Sequence, residues 1–257
     1  MKLSIVSSLK LINPDNVLLH EPYEPARLRK IIDSIRNENV LRNPLIGLQL
    51  NQSEYLILDG AHRISALKQM GCYRVPIQII NPSDILIQAW DHVLPIGAWI
   101  ETLYKHPEIE ITTKSNDQEP LAEFLKEDGS YTYIYPKKNH KDSSTRVQLW
   151  HEVVGTYTNH FSVMRIPQSS KEKLQQNMIR FRYPTCSLQF IKEVVTSGEV
   201  LPAGVTRFSV NGRLLNLRIP LSFLMSQSIS ENQWEEACTN WNNNLRLYPE
   251  EVYLFEA

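Results

Sequence analysis

The chain reads as a mixed α/β protein of the α+β kind in two lobes, and three features of its 257 residues predict this. A short apolar strand, Tyr55 to Leu58, runs through Asp59-Gly60 into a helix that opens on His62-Arg63. Helical and two-residue periodicities alternate through Ile80. A polar, acidic stretch from His106 to Pro120 then precedes a second mixed segment, which sets the lobes at residues 1–105 and 106–257.

Taken in order, Pro25 suits a first helical turn, and Leu28, Ile31, Ile32 and Ile35 follow at helical spacing, predicting a helix from about Ala26 to Asn37. Leu45 to Leu50 alternates around Gly47, Asn51-Gln52-Ser53 turns the chain, and Tyr55 to Leu58 returns as a strand. The next helix runs to Met70 and stops at Gly71, after which Val75 to Ile80 is a strand. Trp90, Trp99 and the bend Pro95-Ile96-Gly97 lead to His106–Pro120, read as a surface excursion. The second half offers a strand at Tyr131 to Tyr135, a helix around Val147 to Tyr157 and a strand near Phe161 to Ile166. A helix from Leu188 to Val195, closed by Gly198, follows. Asn211-Gly212 between Thr206–Val210 and Leu214–Ile219 predicts a hairpin. Ser230 with Gln233 is a capping box for a helix through Trp234, Ala237, Cys238 and Trp241, and Val252 to Phe255 reads as a closing strand.

Composition sets the outer limits. At 42% hydrophobic residues a chain of this length buries about 70–75% of its unfolded surface and needs no staples. Net charge is −1 and the pI about 6.7, which weakens DNA as a partner without removing it. Cys72, Cys186 and Cys238 are odd in number and form no C-x-x-C, which predicts reduced thiols in a cytoplasmic protein. MKLSIVSSLKL is too short and interrupted for a signal peptide, and no apolar run approaches the roughly 18 residues that span a bilayer. His92, His106, His140, His151 and His160 lack zinc-site spacing, and Lys137-Lys138 with His140 and Lys141 reads as a solvated basic loop.

The segment Asp59-Gly60-Ala61-His62-Arg63 carries the chemistry. Glycine at the bend lets a ligand approach the backbone, and the first amides of the following helix lack intrahelical acceptors and point toward an anion. His62 and Arg63 add donors, Arg63 being suited to a two-pronged grip on phosphate, and Asp59 supplies a carboxylate at the strand end. A nucleotide or phosphorylated substrate is the leading ligand; the plainer reading is a surface helix cap with exposed charges.

The unit from Leu18 to Ile80 resembles the ParB/sulfiredoxin-like fold through Asp59-Gly60-Ala61-His62-Arg63. Of its branches, sulfiredoxins place a catalytic cysteine where this chain has Ala61. Chromosome-partitioning ParB proteins follow the unit with a helix-turn-helix, whereas Pro82, Pro95, Gly97 and Pro107 follow it here. Over nearly the whole length the chain is similar to free serine kinases encoded with siderophore biosynthesis of the staphyloferrin B type, through LLHEPYEP, LDGAHRISALKQMGC, VLPIGAWIETL, GEVLPAGVTRFSVNGRLLNLRIPL and EEVYLFE.

That resemblance implies transfer of the terminal phosphoryl group of a nucleotide to the hydroxyl of free L-serine, giving O-phospho-L-serine. ATP is the expected donor with ADP as the alternative, and Mg²⁺ is the expected ion. Glu21 is then the general base, though by position it also suits the positive end of the helix beginning near Pro25. Asp59 is assigned to Mg²⁺ or to orienting the reacting hydroxyl, with helix capping as its ordinary role. Gly60, Ala61, His62 and Arg63 hold the phosphates.

Ser34, Trp90, Thr206 and Arg207 are assigned to the amino-acid substrate. An exposed helical serine and a core tryptophan are the plain alternatives for the first two. Archaeal relatives carry histidine where this chain has Phe208. With Glu21 and the cradle in the first half and Thr206-Arg207 in the second, an active-site cleft between the lobes is expected to close and exclude water. The competing class is a nucleotide-responsive regulator that uses the same cradle without catalysis and binds DNA or a partner protein.

Overall fold

The structure, a computed structural model, describes residues 5–137 and 143–248. The elements begin with β1 (Leu9–Ile12), β2 (Val17–Leu19), α1 (Pro25–Glu38), β3 (Val40–Leu41), β4 (Leu45–Gln49), β5 (Tyr55–Asp59), α2 (Ala61–Gln69) and β6 (Val75–Ile79). They continue with β7 (Ile85–Pro95), α3 (Trp99–Tyr104), β8 (Ile109–Thr112), β9 (Ala122–Leu125), β10 (Tyr131–Pro136), α4 (Ser143–Thr158), β11 (Met164–Pro167), β12 (Met178–Arg182), α5 (Leu188–Thr196) and β13 (Thr206–Val210). They end with β14 (Ile219–Pro220), α6 (Leu221–Met225) and α7 (Glu231–Asn244). The expected mixed α/β class is borne out. The strand expected at Val252–Phe255 and the patch at Lys138, His140 and Lys141 lie outside the described residues.

By packing, the chain forms two compact units that interleave along the sequence, where the sequence reading drew one boundary after residue 105. The first takes the stretch up to Val17, Glu24–Asp84 and the chain from Val210 onward; the second takes Leu18–Tyr23 and Ile85–Ser209.

The first unit is built on strands in the order β1-β6-β4-β5. β4 and β5 are antiparallel through the turn at Asn51–Ser53, and β4 runs parallel to β6. Their side chains are buried because apolar residues fill both faces, as in Leu56, Ile57 and Leu58 on β5 and Val75 and Ile77 on β6. α1 packs its Leu28, Ile32 and Ile35 stripe inward and lies against α2.

The segment after Val210 does not form the expected hairpin. β13 pairs with β7, and Ile219–Pro220 pairs with β3. The buried Gln78 amide satisfies Gly212 O (2.8 Å) and the Leu214 N–H (2.9 Å), and Asn43 Oδ1 accepts from the Asn216 N–H (2.7 Å). Side chains of the first unit thus take the backbone groups that a partner strand would have used, and left-handed φ at Asn216 and Arg218 interrupts any ladder. α7 carries the expected capping box: Ser230 Oγ accepts from the Gln233 N–H, and Gln233 Oε1 from the Ser230 N–H.

The second unit is a sheet of order β11-β7-β12-β9-β10-β8, with β13 also on β7. Phe124 and Phe181 stack at 5.3 Å in its interior, and Trp99 and Tyr157 pack on Phe181. Four strands of this sheet escaped the sequence reading: β7, β8, β9 and β12. Ile109–Thr112 lies within the stretch taken as a surface excursion, yet its alternation pairs it to β10 as an edge strand with Ile109 buried. β7 was hidden because Asp91 and His92, polar residues in its middle, are both fully buried.

Asp91 is tolerated there because Arg182, opposite it on β12, donates from Nε (3.2 Å) and Nη2 (3.0 Å) to its two oxygens. Among the described residues no helix is long and apolar enough to cross a membrane. Replacing Arg182 with Leu leaves a buried carboxylate unpaired and is expected to cost about 3 kcal/mol in urea unfolding, most of it recovered when Asp91→Asn is added.

Candidate active site

In the first unit the cradle forms where β5 ends. Gly60 caps α2 with φ +113°, and a Cβ there would press 3.2 Å from Arg63 Nε, so both conformation and space select glycine. The first intrahelical bond runs from the Ile64 N–H to Gly60 O (2.9 Å), so the amides of Ala61, His62 and Arg63 precede the ladder at the positive end of the helix.

Arg63 is anchored. Its Nη1 donates to Pro44 O (2.5 Å) and Asn43 O (3.2 Å), and Nη2 lies 3.2 Å from Asp59 Oδ2. Arg213, from the returning segment, donates to the same Asp59 oxygen. His62 Nε2 accepts from the Glu24 N–H at 3.0 Å, a bond that requires this nitrogen to be unprotonated, so the neutral ring carries its proton on Nδ1. That contact ties the first turn of α2 to the N-cap of α1. Ser34, on α1, donates to Glu38 Oε1 (3.1 Å), and the Arg42 guanidinium bonded to Glu38 holds that carboxyl below its usual range.

The second unit holds the other candidates, and Glu21, expected in the first lobe, packs with this unit. Its Oε2 accepts from the Gly204 N–H (2.8 Å) and lies 3.8 Å from His20 Nε2. His20 is buried and meets the Phe208 ring edge-on at 5.0 Å. Phe208 is therefore a packing partner of the residue beside Glu21, a role its position in the sequence does not reveal.

Thr206 is buried, and its Oγ1 has no hydrogen-bond partner, a defect usually repaired by a ligand or water. Arg207 stacks its guanidinium over Trp90, 4.7 Å from the ring centroid, and donates to Gln88 Oε1 (3.3 Å), while the Trp90 N–H bonds Val205 O. Trp90 and Arg207, singled out apart in the sequence, are thus brought together across the β7–β13 pairing, with Thr206 beside Arg207 along β13.

Gly204 joins these residues to the interior. At φ +74° it leaves no room for a Cβ, which would collide with the Arg165 guanidinium. Its carbonyl bonds His92 Nε2 (2.7 Å), His92 Nδ1 bonds the Tyr157 hydroxyl (2.8 Å), and Tyr157 bonds the Tyr183 hydroxyl. Burial lowers the His92 pKa to about 4, so the ring is neutral at physiological pH.

The three cysteines are free. Burial pushes the Cys72 thiol up to about 11 and the Cys186 thiol to about 12, far from nucleophilic thiolates. Among the described residues no group of three or more His, Cys, Asp or Glu is arranged to hold a metal ion. Asp59 offers one hard carboxylate beside the phosphate cradle. This fits Mg²⁺, which is usually held by one or two carboxylates together with substrate phosphates and water rather than by a protein cage.

The sequence reading missed Arg213, Gly204, Arg165 and His92. Arg213 has a local signal only in following Asn211-Gly212, since Asp59 lies 154 positions away.

A strand, glycine turn and helix in this arrangement define a ParB-like unit, and residues 6–89 match the ParB N-terminal domain. The chain is 36% identical over 250 residues to the ATP-dependent L-serine kinase SbnI of Staphylococcus aureus, covering 96% of this chain and 97% of that protein. The solved structure of C-terminally truncated SbnI superposes with a TM-score of 0.80 at 35% identity, covering 93% of this chain and 96% of that one. A mutant free serine kinase in complex with AMP shares the fold at TM-score 0.69 and 18% identity, over 84% of this chain and 93% of that one. The chain belongs to the ATP-dependent L-serine kinase family.

Folded His92 stays neutral down to about pH 4, whereas in the unfolded chain it takes a proton near 6.5. The unfolded state therefore binds more protons in that window, and stability from this group falls as pH drops from about 6.5 to 4. Urea unfolding at pH 7 and pH 4.5 is expected to show the wild type losing about 2–3 kcal/mol more than His92→Gln.

Proposed function

We propose that this protein phosphorylates free L-serine at its hydroxyl, with ATP as donor, yielding O-phospho-L-serine and ADP. The observation that carries the reading is kinship over nearly the entire length with an ATP-dependent L-serine kinase, since both halves of the reaction's machinery must be present. Serine Oγ attacks the terminal phosphorus, the new O–P bond forms as the bond to the bridging oxygen of ADP breaks, and the hydroxyl proton passes to the carboxylate of Glu21. Glu21 is supported in this role by its position on the Gly204 amide, which fixes one oxygen and leaves the other to accept a proton.

The α2 amides at Gly60, Ala61, His62 and Arg63 receive the nucleotide phosphates. Arg63 and Arg213 supply positive charge, and the His62 Nδ1–H serves as donor. Asp59 would hold Mg²⁺, which when bound neutralises charge on the phosphates. The Arg207 guanidinium, stacked over Trp90, suits the carboxylate of serine, and the buried Thr206 hydroxyl, which lacks a partner, is the second group assigned to that carboxylate. Ser34, whose hydroxyl donates to Glu38, keeps oxygen lone pairs able to accept from the ammonium of serine. A nucleotide-dependent metabolic reaction and free thiols are at home in the cytoplasm, and the resemblance to staphyloferrin B-type kinases directs the product toward siderophore biosynthesis.

Phosphorus NMR with Mg²⁺, L-serine and ATP, ADP or CTP in separate tubes tests the reading; phosphoserine is expected with ATP. Nucleotide binding without phosphoserine in any tube would make the protein a nucleotide-responsive regulator. Glu21→Gln is expected to lower kcat by about 10²–10⁴-fold with nucleotide affinity retained, and normal turnover would remove Glu21 as the base. Arg213→Ala is expected to weaken ATP binding about tenfold by calorimetry, with folding intact.

A further inference from the structure

The chain from Tyr183 through Tyr157 and His92 to Gly204 is the most deeply buried polar array in the second unit, with His92 and Tyr157 fully buried and Tyr183 1% exposed. The hydrogen-bond directions are fixed by chemistry. A carbonyl only accepts, so His92 Nε2 carries the proton toward Gly204 O, and Nδ1, without one, accepts from the Tyr157 hydroxyl. Tyr157 has then spent its only hydrogen and accepts in turn from Tyr183. Every member is satisfied in one direction only, ending on the peptide that follows Gly204.

Three phenyl rings would fill the same volume without the desolvation cost of two hydroxyls and an imidazole, so packing alone does not account for the array. Its terminus does: the peptide on the other side of the Gly204 Cα donates its N–H to Glu21 Oε2 at 2.8 Å. Gly204 sits in a left-handed conformation that only an outside constraint would hold uniquely, with Arg165 closing the space above it. The rings also meet edge to face, His92 at 5.9 Å from Tyr157 and 5.3 Å from Tyr183, so His92 cannot rotate away.

We propose that Tyr183, Tyr157 and His92 are positioning residues that fix Gly204 by its carbonyl and, through the N–H on the other side of its Cα, aim the Glu21 carboxylate at the substrate hydroxyl. This rests on Glu21 being the general base. His92 lies beyond reach of substrate in this role and acts through Gly204, so its loss is felt in the proton-transfer step and not in the binding of either substrate.

The test measures kcat, both KM values and thermal midpoint for His92→Leu, His92→Gln, Tyr157→Phe and Glu21→Gln, assayed well below each midpoint. His92→Leu is expected to lower kcat by about 10–100-fold with KM for ATP and serine within about twofold. His92→Gln, whose amide can still donate to Gly204 O, is expected to recover most of that loss, and Tyr157→Phe to lower kcat about 3–10-fold. If His92→Leu does not fold, the Tyr157→Phe and His92→Gln pair decides: unchanged kcat in Tyr157→Phe overturns the proposal. So does wild-type kcat in His92→Leu beside an inactive Glu21→Gln, a kcat loss that His92→Gln does not relieve, or a loss carried by KM. Full turnover in Glu21→Gln instead removes the base assignment itself.

Discussion

The carboxylate of Asp59 is the knot of the first unit. One of its oxygens faces Arg63, four residues on, and Arg213, from a segment that returns much later in the chain. Arg63 in turn grips the carbonyls of Asn43 and Pro44 ahead of β4. Three stretches of sequence are thereby fastened around the start of α2. One negative and two positive side-chain charges leave a local positive excess, which the partial charge of the helix terminus extends. A chain with net charge −1 can in this way present a strongly anion-attracting surface at one place without a basic field elsewhere.

The second unit solves a different electrostatic problem. Polar groups stand in its interior opposite named partners, Asp91 against Arg182 and His92 between Gly204 and Tyr157. Among the described residues Thr206 Oγ1, Arg180 Nε and Glu199 Oε2 are buried without a hydrogen-bond partner, and Arg207, next along β13 from Thr206, stacks its guanidinium over Trp90.

What was legible in the sequence was local. α1 and α2 follow from apolar spacing with Pro25 and Gly71 as punctuation, the capping box at Ser230 and Gln233 is as read, and the strand-glycine-helix turn stood out at Asp59-Gly60. What failed was long-range. Asn211-Gly212 is a good hairpin signal, but the Gln78 and Asn43 side chains outcompete a partner strand. β7 was obscured because its middle is polar, and that polarity makes sense only once Arg182 and Tyr157 are seen beside it. The same limit applies to the candidate site. The D-G-x-H-R run shows itself, whereas Arg213, Gly204 and His92 gain meaning from residues more than 100 positions away.

The interleaving of the two units bears on how the protein is made. Gln78 waits for Gly212 and Leu214, Arg74 for Ser226 and Gln227, and the Tyr73 amide for Leu224 O. At ribosomal speeds of about 5–20 residues per second, those partners emerge roughly seven to thirty seconds after the residues that bond them. The nascent first unit must therefore persist with exposed polar and apolar edges while the whole of Ile85–Ser209 is synthesised, and that inserted unit can finish folding before its host does. A nascent chain can thus hold the second unit complete while residues that finish the first, Arg213 among them, are still to emerge.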